Sequence, residues 1–174
     1  MKKIIFPFLF LALVCSAPIN LFSQEYKTGM GLRGGWTSGL TFKQFIKEDR
    51  AIELIFSSGW RRWQGYQITA LYEVHKGAFT KDEVKGFFWF YGGGAHFGGG
   101  YKYEHWHPTG TWTGYWHKHG YNSFGVDLVF GLEYKIEEVP ITLGVDVKPF
   151  FEFATDPEAS FGFWDSALSI RFVF

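Results

Sequence analysis

The chain has 174 residues, with 17 basic and 17 acidic side chains, 22 glycines and an aromatic content of 22%. Its mean hydropathy is close to zero, so it lacks the long apolar runs of helical membrane proteins, and so many aromatic residues argue against a disordered chain. The balanced charge also argues against a nucleic-acid partner, which would require a basic surface.

The first residues have the features of a secretory leader. Two lysines follow the initiating methionine, and the apolar run 4–14 is too short to cross a bilayer as a helix. We predict a signal peptide over residues 1–23 and a mature chain that begins at Gln24, because cleavage after Ala17 would place Pro18 where signal peptidase disfavours it.

The predicted mature domain, residues 24–174, differs from the whole chain in charge and in sulfur content. Removing the leader takes away Lys2 and Lys3 and no acidic residue, which leaves 15 basic against 17 acidic side chains. The only cysteine, Cys15, also lies in the leader, so the mature domain has neither a disulfide nor a reactive thiol.

Eight segments of the mature domain alternate apolar and polar residues with the two-residue period of a β-strand. Their predicted bounds, in chain order, are Thr28–Trp36, Leu40–Ile46, Ala51–Gly59, Tyr66–His75, Phe87–Gly99, Ser123–Lys135, Ile141–Glu152 and Gly162–Phe174. Most of the connections between them are short and polar, and the longest runs over residues 100–122. The sequence therefore predicts an all-β fold, an eight-stranded antiparallel up-and-down barrel.

The fifth predicted strand contains a run of glycines over residues 91–100. A loop that binds a nucleotide phosphate would need a following helix and a Lys-Ser/Thr pair, and the sequence contains neither at this point. Glycines in a barrel strand let the sheet bend and leave room for large neighbours in a narrow interior. We therefore interpret this run as part of the barrel wall.

The final predicted strand has the clearest alternation. It ends the chain on an aromatic residue and places on one face Trp164, Leu168, Ile170, Phe172 and Phe174. This pattern resembles the closing strand of Gram-negative outer-membrane β-barrels, which end in alternating apolar residues and a C-terminal Phe read by the insertion machinery. The mature chain as a whole resembles small outer-membrane barrels of the OmpA/OmpX type.

The resemblance implies a transmembrane barrel in the outer membrane, surrounded by lipid and lipopolysaccharide. If the N-terminus starts in the periplasm, an even number of strands returns Phe174 to the periplasm and places the connection 100–122 outside the cell. The connection 76–85 is longer than periplasmic turns usually are.

The small volume of the barrel interior predicts which face of the strands points inward. The interior of an eight-stranded barrel is just wide enough for side chains to fill, and the Phe, Leu, Tyr and Trp residues of the apolar face would overfill it. A soluble barrel with an apolar interior is therefore disfavoured. The opposite face is predicted to enclose charges of both signs, namely Arg33, Lys43, Lys148 and Arg171 with Glu53, Glu73, Asp127, Glu133, Asp146, Glu152 and Asp165.

The sequence contains no recognisable catalytic motif such as Gly-x-Ser-x-Gly or His-Glu-x-x-His. Small outer-membrane barrels include lipid A acyltransferases and deacylases, which place Ser and His near the outer rim. Asp165 and Ser166 lie near that rim, but neighbouring strand residues face opposite sides. We predict that the protein is not an enzyme. A lipid A-modifying acyl-transfer activity ranks third among the functions considered. Conduction of protons or ions along the interior carboxylates is a further alternative.

The connection between the fifth and sixth strands is rich in histidine. His105 and His107 precede Trp112, and His117 and His119 follow it at the same spacing. If the two strands continue as a hairpin centred on Trp112, His105 lies opposite His119 and His107 opposite His117. The four imidazoles then form a predicted site for Zn²⁺, Ni²⁺ or Cu²⁺, and simple surface exposure of the histidines is the alternative.

Taken together, these features predict a non-enzymatic outer-membrane barrel with a structural, scaffold or accessory-subunit role in the cell envelope. A surface barrel that binds or senses metal through residues 105–119 is the second alternative. The expected partners are outer-membrane lipid and lipopolysaccharide and a larger outer-membrane protein complex, and no nucleic acid.

Overall fold

The computed structural model describes residues 26–59, 64–77, 86–108, 114–154 and 161–174, and of residues 59, 64, 102–108, 114–119 and 161–164 it describes the backbone alone. The predicted signal peptide lies outside these residues. The described chain forms eight strands. They are β1 (Thr28–Gly35), β2 (Thr37–Lys47), β3 (Arg50–Gly59), β4 (Gln64–Gly77), β5 (Phe87–Pro108), β6 (Gly114–Lys135), β7 (Ile141–Ala154) and β8 (Phe161–Val173).

The strands form one closed barrel in which each strand pairs with its neighbours in the sequence and β8 returns to β1. Every pair is antiparallel, and the closing seam runs from Gly29 opposite Val173 to Gly35 opposite Ala167. The prediction of an eight-stranded antiparallel up-and-down barrel is therefore confirmed. No helix among the described residues is long and apolar enough to cross a bilayer.

The main difference from the predicted bounds lies in β5 and β6, which have 22 residues each. The prediction of a connection over residues 100–122 is wrong for most of that range, since β5 continues to Pro108 and β6 begins at Gly114. Alternation of apolar and polar residues marks a strand only where one face is buried or meets lipid. A two-stranded ribbon that extends beyond the barrel has no such constraint, so its sequence carried no strand signal.

This extension rises above the neighbouring strands. The pairing of β4 with β5 ends at Gln64 opposite Tyr101, and the pairing of β7 with β6 begins at Ala154 opposite Ser123. Residues 102–108 and 114–119, which we call the outer ribbon, therefore pair only with each other among the described residues.

Side chains alternate between the exterior and the interior of the barrel. On β6 every second residue from Phe124 to Tyr134 is an exposed apolar side chain, and the residues between them are buried. The described Lys, Arg, Asp and Glu residues that are buried are Arg33, Lys43, Glu53, Glu73, Asp127, Glu133, Lys135, Asp146, Lys148, Asp165 and Arg171. The predicted orientation, with charges inside and aromatic residues outside, is confirmed, and it is the reverse of a soluble barrel.

Glycines on the inner face make room for the few large rings in the lumen. A Cβ atom on Gly125 would lie against the His96 imidazole, and one on Gly131 would lie against the Phe90 ring. On β5 itself, a Cβ atom on Gly92 or Gly94 would collide with the backbone of β4. The glycine run thus permits close strand approach and a filled lumen, as the sequence predicted.

Candidate functional site

Near the end of the barrel where Thr28 lies beside Phe174, one lysine lies among three glutamates. Lys43 Nζ lies 2.8 Å from Glu73 Oε2, 3.3 Å from Glu53 Oε2 and 3.3 Å from Glu133 Oε2. These side chains come from β2, β3, β4 and β6, and each points inward because it occupies a lumen-facing position of its strand. One ammonium group thus connects strands that are not all neighbours in the sheet.

Arg171 on β8 completes this first charge cluster. Its Nη2 lies 2.5 Å from Glu53 Oε1 and its Nη1 lies 3.0 Å from Glu133 Oε2, while its Nε donates to Thr41 Oγ1 at 3.3 Å. The Tyr26 hydroxyl donates to Glu133 from the segment before β1. Because both cations contact Glu53 and Glu133, the first charge cluster (Lys43, Glu53, Glu73, Glu133 and Arg171) is a single connected unit.

Aromatic rings cover the first charge cluster. Tyr26 packs edge-on against Phe45 with centroids 5.1 Å apart, Phe45 lies 4.9 Å from His75, and His75 stacks on Phe90 at 5.0 Å. Lys43 Nζ lies 4.4 Å above the centroid of the Phe90 ring, a distance that gives a cation–π attraction. This end of the lumen is therefore filled by rings as well as by charges.

A second charge cluster (Arg33, Asp127, Asp146, Lys148 and Asp165) occupies the other half of the lumen, toward the β1–β2 turn. Arg33 lies 2.6 Å from Asp146 and 3.2 Å from Asp165. Lys148 lies 2.7 Å from Asp127 and 3.2 Å from Asp165. Asp165 is thus held by both cations, and it also accepts hydrogen bonds from the Thr37 hydroxyl at 2.6 Å and the Thr37 backbone N–H at 3.2 Å.

His96 extends the second charge cluster toward the outer ribbon. Its Nδ1 lies 2.8 Å from Asp127 Oδ2, and its Nε2 lies 3.3 Å from Glu152 Oε2 without the alignment of a hydrogen bond. An imidazole can donate from both nitrogens only when it carries two protons. Phe150 lies beside the imidazole, with ring centroids 5.8 Å apart. Glu152 is the most exposed of these acids, with 20% of its side chain accessible.

These contacts make the lumen a set of paired charges. A buried carboxylate without a partner costs several kcal/mol, on the order of 3–5 when one member of a pair is removed. Of the buried side-chain atoms in the described residues, those without a hydrogen bond, apart from His96 Nε2, are Arg33 Nε, Glu73 Oε1 and Thr142 Oγ1. No described group of three or more His, Cys, Asp or Glu residues could hold a metal ion. The arrangement is suited to holding strands together.

The Asp165–Ser166 pair does not form a catalytic dyad. Asp165 is fully buried and bonded within the second charge cluster, whereas Ser166 is exposed on the outer surface. Adjacent strand residues face opposite sides, as expected. These two residues therefore supply no nucleophile and base within reach of each other.

The predicted pairing of the loop histidines is wrong. His107 lies opposite Tyr115 and not His117, and His119 lies opposite Lys102 and not His105. The backbones of these histidines belong to β5 and β6, but the side chains of His105, His107, His117 and His119 lie outside the described residues. The metal site itself therefore stays a prediction.

The register of the barrel explains this error. Buried side chains have even numbers on β5, such as Phe90 and His96, and odd numbers on β6, such as Val129. Directly opposite residues share a face, so each pair within the barrel joins an even to an odd number. A bulge between Tyr103 and Trp106 then adds one residue on β5 and moves the register again. The symmetric spacing of the histidines about Trp112 reveals neither the pairing of even with odd residues nor the bulge.

Sequence reasoning missed some residues of the site. Phe90, Phe150 and Tyr26 contribute rings to the lumen, although aromatic residues were expected outside. His96 was treated only as part of the glycine run. The position of His96 in the two-residue alternation could have predicted its place in the lumen. His96 shares its face with Gly92 and Gly94, and glycine inside a narrow lumen leaves room for one large neighbour.

Removing the Arg171 guanidinium should destabilise the barrel strongly. Among the described residues, Arg171→Ala leaves Lys43 as the one Lys or Arg in contact with Glu53 and Glu133, so we expect a loss of about 3–5 kcal/mol in the free energy of unfolding. Arg50→Ala is the matched control, because Arg50 is exposed and its ion pair with Asp49 is 3.5 Å long. Urea unfolding of the folded barrel measures both. Equal, small effects would show that the charged face is not enclosed.

No protein-family model and no curated protein sequence matches the chain. Among solved structures, the fold is similar to the N-terminal β-barrel domain of Pseudomonas aeruginosa OprF. The TM-score is 0.54 and the sequence identity is 13%, with 84% of this chain and 95% of the OprF chain covered. At this identity the likeness concerns the fold. The predicted resemblance to small eight-stranded outer-membrane barrels is therefore confirmed at the level of the fold.

Proposed function

We propose that this chain is a non-enzymatic outer-membrane β-barrel with a structural, scaffold or accessory-subunit role in the cell envelope. The observation that carries the proposal is the inverted distribution of side chains, with paired charges inside and a continuous apolar surface outside. Soluble monomers rarely expose apolar patches of this extent. A closed barrel also satisfies every wall strand by pairing, which a hydrocarbon environment requires.

The spacing of exposed aromatic residues supports a membrane-spanning wall. On β5, Tyr91 and Tyr101 are exposed and ten residues apart, and on β6 the same interval separates Phe124 from Tyr134. Ten residues at about 3.3 Å each, tilted by about 40°, span about 25 Å. This height equals the apolar band of outer-membrane barrels, whose edges are marked by aromatic girdles.

The proposed orientation has both termini in the periplasm. The start of β1 and the last residue meet at one rim of the barrel, where Thr28 N donates to Phe174 O at 2.9 Å. The predicted leader over residues 1–23 would deliver the chain across the inner membrane. The outer ribbon, at the opposite rim, then faces the outside of the cell.

The contents of the lumen support a structural role. The two charge clusters and the aromatic rings occupy the interior, and the rim pair Asp165 and Ser166 forms no dyad. Contacts with other molecules are thus proposed to be made by the exterior and the outer ribbon. Outer-membrane lipid, lipopolysaccharide and a larger outer-membrane protein complex are the proposed partners.

Location and orientation can be tested on intact cells. We expect a heat-modifiable outer-membrane protein that externally added protease cuts between Gly110 and Gly114, because the paired strands on either side of this segment extend beyond the neighbouring strands. The fragment ending at Phe174 should remain with the membrane. Mass spectrometry of the released and retained peptides identifies the cleavage site and the retained fragment. Release of the C-terminal peptide from intact cells would contradict the orientation.

Conductance tests the filled lumen. The barrel should give no steady current in the nanosiemens range in a planar bilayer, because the ion pairs of Lys43 and Arg171 and the ring of Phe90 occupy the interior. An open aqueous channel needs about sixteen strands, so a sixteen-stranded porin is the positive control. Nanosiemens steps from the purified barrel would exclude a purely structural lumen and favour conduction.

A second proposed function is metal binding by the outer ribbon. The observation in its favour is that β5 and β6 continue as paired strands through the histidine-rich region. Since His107 lies opposite Tyr115, His117 is the diagonal neighbour of His107 in the ladder. His105 falls within the bulged stretch between Tyr103 and Trp106. The register therefore favours His107 with His117 over the pairing of His105 with His119.

Calorimetric titration with Zn²⁺ tests this site. The refolded barrel should bind one ion with micromolar or tighter affinity, and binding should weaken as the pH falls toward about 5, because protons compete for imidazoles with an ordinary pKa of about 6.5. The double variant His107→Gln/His117→Gln should lose this binding, whereas the matched variant His105→Gln/His119→Gln should keep most of it. Equal affinities in all three proteins would mean that the histidines form no built site.

A further inference from the structure

The first charge cluster contains one more acid than it has cations. The side chains of Glu53, Glu73 and Glu133 belong to residues that are at most 2% exposed. Among the described residues, the Lys and Arg side chains that contact these three acids are Lys43 and Arg171. Three carboxylates and two cations would leave one uncompensated negative charge in a closed interior, where such a charge is costly.

Two of the three acids have donors at both of their carboxyl oxygens. Both oxygens of Glu133 contact donors, namely the Tyr26 hydroxyl and the two cations. Both oxygens of Glu53 also contact donors, namely the Thr41 hydroxyl and the same two cations. A carboxyl oxygen that accepts from charged or hydroxyl donors is in the environment of an ionised carboxylate. These two acids therefore match the two cations.

Glu73 is the exception. Its Oε2 lies 2.8 Å from Lys43 Nζ and 2.9 Å from His75 Nε2, whereas its buried Oε1 accepts no hydrogen bond from any described residue. Its carboxyl group also lies within hydrogen-bonding reach of the Glu53 carboxyl group. Two carboxylates at that distance repel each other, and a single proton between them turns the repulsion into a hydrogen bond.

His75 is the other group beside Glu73 that can hold a proton. Its ring lies between Phe45 and Phe90, at 4.9 Å and 5.0 Å between centroids, and a neutral imidazole can already donate from Nε2 to Glu73 Oε2. A charge on His75 would leave the repulsion between Glu53 and Glu73 in place. The titratable and charged groups of the cluster around Glu73 are Tyr26 before β1, Lys43 on β2, Glu53 on β3, His75 on β4, Glu133 on β6 and Arg171 on β8, and β5 contributes the Phe90 ring.

We propose that the first charge cluster is a proton-binding site, in which Glu73 is a neutral carboxylic acid that shares its proton with Glu53 in the folded barrel at neutral pH. With this proton bound, two carboxylates face two cations. The ligands of the site come from β3 and β4, and the cations that surround it come from β2 and β8. Loss of the proton would place an uncompensated charge in the network that holds these strands together. The inference goes beyond the proposed structural role, because it assigns an exchangeable ligand to one end of the lumen.

The proposal fixes the sign of a pH dependence. A glutamate in the unfolded chain ionises near pH about 4.3, so at neutral pH the unfolded chain has lost the proton that the folded barrel holds. Folding then takes up one proton, and stability falls as the pH rises. The contribution of this one site to the folding equilibrium constant is about tenfold per pH unit, until the folded barrel itself releases the proton.

Two glutamine variants of the refolded barrel test the proposal by urea unfolding between about pH 6 and about pH 9. Glu73→Gln replaces a neutral acid by a neutral amide, so the variant should be at least as stable as the unmodified barrel. Its advantage should grow by about tenfold in the folding equilibrium constant per pH unit. Glu133→Gln is the matched control, because it removes a carboxylate that contacts both cations. It should lose stability by a factor that does not change with pH.

Infrared spectroscopy of the unmodified barrel provides a measurement that needs no destabilised variant. The folded barrel at about pH 7 should show the carbonyl stretching band of a protonated carboxyl group. The band should shift when the glutamates are isotope-labelled and should be missing from Glu73→Gln.

Three other outcomes would overturn the proposal in distinguishable ways. Absence of the band, together with a pH-independent effect of Glu73→Gln, would show that Glu73 is ionised. A band that persists in Glu73→Gln would place the proton on a different acid. Absence of the band, together with stability that increases with sodium chloride but not with choline chloride, would show that a monovalent metal ion takes the place of the proton.

Discussion

The barrel depends on the pairing of buried charges across a narrow lumen. Glu53 and Glu133 each contact both Lys43 and Arg171, and these four residues come from β3, β6, β2 and β8. Ion pairs in a low-dielectric interior are strong only when every partner is in place, and removing one partner leaves a costly unpaired charge. The first charge cluster therefore requires both barrel closure and the observed register, since a strand displaced by one residue would turn its charge toward the outer surface.

The filled interior determines where function can arise. Charges and rings occupy the lumen. His96 and Phe90 fit there because Gly125 and Gly131 have no side chain that would collide with them. The same two-residue period that turns charges inward turns apolar residues outward. Recognition by this protein is therefore expected at the exterior and on the outer ribbon.

Unequal strand lengths give the exterior its character. β1 has 8 residues, whereas β5 and β6 have 22 each. On one side the wall ends low at Trp36, and on the other it continues into the outer ribbon. A barrel closed by equal strands would present the same height to lipid all round. Here the outer ribbon follows from one feature, the greater length of the β5–β6 hairpin.

The sequence by itself determined the number of strands, their order and the inward position of the charged face, because alternation with period two requires no knowledge of partners. It identified Arg171 and Glu53 as interior residues, and the structure agrees. Only the tertiary structure decided which charges pair, because contact across the lumen depends on the relative height of strands that are not neighbours. The histidine hairpin shows the same limit: register at Tyr103 and Trp106 is set by the barrel pairs below and by a bulge, and neither is encoded in the local spacing of the chain.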